Sequence, residues 1–198
     1  MFIGLSPACL TDQPAYRVVS GSASTALIAY TTDGTYPAGV TANDVLIASL
    51  STTALPTAPL GWTTIASGAI GAWGNYFSYQ RTATGALSGT VFTGNEQNII
   101  MLLRGVSAAN LISAFSASSS WASLSGLTNN SNVYAVGFSN TSGSHGGATL
   151  AGTFTTQLNA SRNVIATLTN KNSGTTFAYT GCSNGGTTAA MCFSYGIA

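Results

Sequence analysis

The feature that most constrains this 198-residue chain is the spacing of its apolar residues. They recur at every second position or in short unbroken runs, and almost nothing has the 3.6-residue period of a helix. Strands are expected at Ala15–Val19, Thr25–Tyr30, Asp44–Leu50, Gly61–Ala66, Asn75–Arg81, Gly89–Thr93, Gln97–Arg104 and Leu111–Ser116. The second half adds Trp121–Leu124, Asn132–Phe138, Thr153–Gln157, Arg162–Leu168, Thr175–Thr180 and Thr188–Tyr195. These segments are rich in Val, Ile, Thr, Tyr and Phe, and Gly, Asn, Ser or Pro bound them. Many short strands at even spacing predict an all-β fold, an antiparallel β-sandwich of jelly-roll-like type.

An internal repeat sharpens that reading. Asp44–Ser51 aligns with Asn132–Ser139, Gly89–Gly94 with Gly174–Gly181, and Arg104-Gly105-Val106 with Tyr195-Gly196-Ile197, all in the same order. Ser22-Ala23-Ser24 and Ser116-Ala117-Ser118 open the two stretches. The pattern suggests pseudo-repeats over about 22–110 and 116–198 within one sandwich domain, 21–198. Each half alone would expose an apolar sheet face, and pressing two such sheets together buries both. Residues 1–20, with Pro7 and Pro14, read as an N-terminal arm or an edge segment.

Composition narrows function more than fold. The chain is 45% hydrophobic and only 5% charged, with a net charge of +1, where an average soluble domain is roughly 25% charged. Arg17, Arg81, Arg104, Arg162 and Lys171 stand singly. Phosphate backbones and anionic lipid surfaces both require clustered cations, so neither nucleic acid nor membrane is an expected partner. The first residues, Met1 to Pro7, lack a basic region and break their apolar run at Ser6-Pro7, so no signal peptide is expected and folding in a cytoplasm is the default.

The same scarcity speaks against catalysis. The carboxylates are Asp12, Asp33, Asp44 and Glu96, and the lone histidine is His145, in a Gly/Ser-rich stretch. Paired acids, the commonest arrangement for glycoside hydrolysis, are not evident, since Asp33 and Asp44 sit in turn contexts. No Gly-x-Ser-x-Gly elbow, phosphate loop or dinucleotide fingerprint occurs. Cys9, Cys182 and Cys192 lack metal-ligand spacing and read as thiols, although Cys182 and Cys192 could meet across a hairpin. The expectation is a non-enzyme with no cofactor and no metal.

Several segments together resemble a known family. Pro37-Ala38-Gly39-Val40 through Asn43-Asp44 is similar to a "PAGV-x-x-GD-hydrophobic" segment, with Asn43 where Gly is usual. Pro59-Leu60-Gly61-Trp62-Thr63 then matches a Pro-x-Gly-Trp-Thr element, Tyr76–Arg81 an aromatic strand ending in a cation, Gly89–Thr93 a "GT-x-FT" strand, and Arg104-Gly105-Val106 the end of an apolar strand. This order resembles β-sandwich domains of bacteriophage virion structural proteins, a pattern also seen in some bacterial surface proteins. The likeness spans roughly residues 20–110. It implies a fold, and a location in the virion, and it carries over no functional residues.

The resemblance and the low charge point to a capsid decoration, cement or head-fibre protein. Such a protein would act through contacts with other virion proteins, of capsid or tail, and with copies of itself. The alternative is a carbohydrate-binding or host-adhesion module contacting a surface glycan. Its candidate contact or stacking residues are Trp73, in the glycine-rich stretch Gly68–Gly74, and Tyr76.

Overall fold

A computed structural model describes residues 16–18, 26–52, 57–69, 75–94, 97–116, 120–127, 131–139, 155–160, 163–171, 174–180 and 190–197. Among the described residues it is all-β, apart from a short turn of 3-10 helix at Ala108–Asn110. The first half supplies β1 (Tyr16–Val18), β2 (Leu27–Thr31), β3 (Val45–Thr52), β4 (Thr63–Ala69), β5 (Asn75–Thr82) and β6 (Gln97–Leu103). The second half supplies β7 (Leu111–Ser116), β8 (Ser120–Leu127), β9 (Ser131–Ser139), β10 (Thr155–Ala160), β11 (Asn163–Lys171), β12 (Gly174–Thr180) and β13 (Ala190–Ile197).

Each half builds its own antiparallel sheet. The first runs β1-β2-β6-β3-β5-β4 and the second β10-β11-β9-β13-β7, with β8 and β12 paired as a separate ribbon. Matching strands in chain order, β2-β6-β3-β5-β4 and β7-β13-β9-β11-β10 have the same arrangement. The likeness extends to detail. The edge strands β4 and β10 each carry a register shift after a Thr-Thr pair, between Thr64 and Ala66 and between Thr156 and Leu158. A lone antiparallel bridge, Thr35 to Thr90, stands where the second half has its β8–β12 ribbon.

The residue matches read from the sequence do not all share this correspondence. Leu46 aligns with Tyr134, yet Leu46 lies on the outer face of the first sheet while Tyr134 lies in the core between the two sheets. Ser116 closes β7, the counterpart of β2, whereas Ser22–Ser24 precede β2. The halves therefore resemble each other in strand order, and the sequence match over β3 and β9 is out of step with the face each residue takes. The Gly89–Thr93 strand is also corrected. Only Thr90 pairs, while Val91 and Phe92 donate their N–H groups to the Gly34 carbonyl. That segment gives up a ladder in order to fold Phe92 down onto the sheet.

Two cores follow from this layering. Between the sheets, Leu27, Val45, Ile47, Ile99, Met101 and Leu103 meet Tyr134, Val136, Ile165, Phe193 and Tyr195. On the outer face of the first sheet, Leu46, Ala48, Leu50, Phe77, Tyr79, Ile100 and Leu102 are covered by Val40, Trp62, Phe92 and flanking loop residues. β3 and β6 are thus buried on both faces. This is why Val45–Leu50 and Ile99–Leu103 read as near-continuous apolar runs and not as alternations. Polar ties join the sheets as well. The Tyr195 hydroxyl sits 2.7 Å from Ser49 Oγ and 2.6 Å from Ser78 Oγ, and Tyr30 donates to the Gln157 carbonyl.

Candidate contact surface

The turn Thr41–Asp44 shows how the few charges are used. Asn43 takes φ 71°, the left-handed region that favours Gly and that Asn tolerates better than most residues. Asp44 N–H returns to the Thr41 carbonyl. The Asp44 side chain, 2% exposed, accepts from Thr41 N–H and Oγ1 at 2.8 and 3.0 Å. Arg104 then donates Nε to Oδ1 at 2.8 Å and Nη2 to Oδ2 at 2.7 Å, and reaches the Gly39 carbonyl at 2.8 Å. The Arg104 hydrogen bonds, with further donation from Thr41, hold the Asp44 carboxyl below its usual range against the opposing effect of burial. Asp33 is a turn residue too: one carboxylate oxygen accepts from Thr35 N–H and Oγ1.

A second cluster gathers the remaining motif residues. Pro59 to Trp62 forms a turn closed by Trp62 N–H to the Pro59 carbonyl, with Gly61 at φ 83°. That combination is the signature of a type II turn, where only glycine is unstrained at the third position. Arg81, from the end of β5, lies beneath it and donates to the Leu60 carbonyl at 3.1 Å and the Tyr36 hydroxyl at 2.8 Å. Its guanidinium also stands 5.7 Å from the Tyr36 ring centroid. Trp62 stacks on Tyr36, meets Phe92 edge-on, and Phe92 stacks on Tyr79. A continuous aromatic column thus runs from the sheet to the surface.

In the Pro59–Trp62 turn stands Leu60, 95% exposed and the one large hydrophobic side chain so placed among the described residues. A single exposed leucine is ordinary. Leu60 differs in how it is held, because its peptide is fixed by Arg81 and its turn by Trp62. A turn whose backbone is already held loses little backbone entropy when a partner covers it. Sequence reasoning did not single out Leu60, Arg81 or Tyr36 as a unit. The available signal was the Pro-x-Gly-Trp turn together with the cation ending the aromatic strand.

Tyr76 is half-buried at the junction of the sheets. Its ring stacks face to face on Phe115, with centroids 3.4 Å apart, and meets Phe193 edge-on. It also covers Gly68, its cross-strand partner: a Cβ there would stand 2.6 Å from the ring. The structure therefore places Tyr76 in packing between β4, β5 and β7. Trp73 lies outside the described residues, as do Asp12, Glu96, His145, Cys9 and Cys182. The structure accordingly does not bring Trp73 and Tyr76 together as a described pair. Cys192 lies in β13, where its backbone pairs with Gly137 and Ser116.

Among the described residues no three His, Cys, Asp or Glu side chains cluster as metal ligands, and no helix is long and apolar enough to cross a membrane. No family model, curated protein or solved structure matches the chain.

Proposed function

We propose that this chain is a non-enzymatic structural component of a bacteriophage particle, of capsid decoration or head-fibre type, working through protein–protein contacts. The observation that carries this reading is the use made of four charged side chains among the described residues. Asp33, Asp44, Arg81 and Arg104 are each committed to fastening a turn, so their chemistry serves shape. The motif residues that support the family resemblance, Asp44, Trp62, Arg81, Phe92 and Arg104, fasten or cover one face of one sheet. What they present outward is the rigid Leu60 turn. Low charge density also suits a surface that neighbours cover, since it offers little colloidal repulsion of its own.

The test is purification of intact particles followed by quantitative mass spectrometry. The chain is expected at a fixed copy number relative to the major capsid protein. Its absence from particles, or turnover of a substrate that survives rigorous purification, overturns the reading. A glycan array run in parallel decides the adhesion alternative, for which Tyr76 offers no free ring face on the Phe115 side.

A further inference from the structure

We infer that Tyr195, Ser49 and Ser78 form a pairing key: they match the first sheet to this chain's own second sheet and keep two copies from closing like sheet on like sheet. The inference goes beyond the structural role and does not depend on it. The register shifts in β4 and β10 bring the two ladders into residue-by-residue correspondence. Across the first shift Thr63 pairs with Gln80 and Ala66 with Ser78, and across the second Thr155 pairs with Thr167 and Leu158 with Ile165. Gln80 thus corresponds to Thr167, and Ser78 to Ile165. One strand further in, Ile47 and Ser49 lie opposite Gln80 and Ser78, as Tyr134 and Val136 lie opposite Thr167 and Ile165. Ile47 pairs in turn with Met101, and Tyr134 with Tyr195. Met101 is therefore the equivalent of Tyr195, and Ser49 of Val136. Facing agrees. Ile47, Met101, Tyr134, Val136, Ile165 and Tyr195 all lie in the core between the sheets, where Ser49 and Ser78 reach the Tyr195 hydroxyl.

The stacking of the sheets obeys the same correspondence. β2 lies against β10 through the Tyr30–Gln157 bond, and β4 lies against β7. Exchanging the halves turns each of these stacks into the other, so the sandwich has an approximate two-fold relation. Under that relation the counterpart of Tyr195 over Ser49 and Ser78 is Met101 over Val136 and Ile165. The backbones alone would therefore accept a first sheet on another copy's first sheet, and a second on a second. Residues 104–110 join β6 to β7, and at up to about 3.5 Å per residue they can bridge two such sandwiches. The side chains discriminate. First on first sets the Met101 thioether over two buried serine hydroxyls, and second on second sets the Tyr195 hydroxyl over Val136 and Ile165. A buried polar group stripped of its partner carries its full desolvation cost, whereas the native pairing gathers all three hydroxyls at one place. A buried polar contact of this kind selects one pairing among alternatives of like shape.

Exchanging the two central side chains reverses the preference, which an ordinary core contact would not do. In Met101→Tyr combined with Tyr195→Met, like-with-like closure regains a tyrosine over Ser49 and Ser78 and a methionine over Val136 and Ile165. The full chain is unfolded in urea, refolded across about a hundredfold range of concentration, and sized by light scattering beside the parent. The exchange variant is expected at twice the parent's mass at the concentrated end. Tyr195→Met alone gives both closures the same set of contacts, so its dimer share should lie between those of the parent and the exchange variant and rise with concentration. An exchange variant that melts cooperatively and keeps the parent's mass overturns the key. A parent that doubles its mass alongside the variant overturns it as well. Where the exchange variant fails to fold, Tyr195→Met decides, and a dimer share no greater than the parent's at the highest concentration overturns the inference.

Discussion

Asp44 and Arg104, sixty residues apart in sequence, form a two-pronged ion pair that clamps the turn entering β3 to the end of β6. β3 and β6 are hydrogen-bonded neighbours, with Val45 opposite Leu103. The acid that opens one strand and the base that follows the other therefore meet by register. The PAGV-type segment and the Arg-Gly-Val element, far apart in the sequence, are two halves of one fastening.

Replacing Arg104 by Ala leaves the Asp44 carboxylate buried with only Thr41 as donor. A loss of about 2 kcal/mol is expected, read from the urea midpoint. Asp44→Asn with Arg104→Ala should cost less than the sum of the single changes. The ion pair also sets an acid limit. Because the folded-state pKa of Asp44 lies below its ordinary value, the stabilisation is present above the unfolded value of about 3.9. It is lost as pH falls through the folded value. Asp44→Asn should flatten that acid decline.

Tyr195 offers the alkaline counterpart. Its buried hydroxyl is shared with Ser49 and Ser78, and burial pushes its ionisation far above the ordinary tyrosine range. A raised pKa contributes stability fully below the unfolded value of about 10, and this is lost as pH rises toward the folded value. Absorbance titration should show one tyrosine ionising only with unfolding, a component that Tyr195→Phe removes. That variant should also lose about 1 kcal/mol at neutral pH.

At the surface cluster, Gly61→Ala must place a Cβ 3.1 Å from the Arg81 guanidinium carbon at φ 83°. The expected cost is above about 1 kcal/mol. Trp62→Ala, which empties the outer-face core, should cost about 3–5 kcal/mol, and thermal melts rank the two.

Leu60→Asp touches nothing in the isolated chain's core. Its stability should stay within about 0.5 kcal/mol of the parent, while its copy number on particles falls. Unchanged incorporation would remove Leu60 from the contact surface.

Tyr76→Ala should lower stability by at least about 2 kcal/mol, since it strips the Phe115 stack and uncovers Gly68. Tyr76→Phe keeps both contacts. If glycan binding exists and survives Tyr76→Phe but not Tyr76→Ala, unfolding must be excluded by near-UV dichroism before a stacking role is assigned.

Much of the fold was legible in the sequence because strand formation is a local matter. Alternation and apolar runs located β5, β6, β7 and β9 to within a residue or so, and the Asn43 turn followed from backbone preference, whereas Gly61, expected to open a strand, sits in the turn that precedes β4. The Gly89–Thr93 segment looked like a strand for the same local reasons. It failed because Phe92 is worth more over the sheet than in a ladder. Of the candidate site residues, the placement of Tyr76 was not legible. Its neighbours Phe115 and Phe193 come from the other sheet, and nothing local to Tyr76 announces them.

The sequence by itself determined an all-β chain with few charges, because periodicity and composition act along the chain. Only the tertiary structure decided which charges meet, which faces are doubly buried and which leucine stands free. Those outcomes depend on strand register and on the pressing of one sheet against another, and both are set by contacts far apart in sequence.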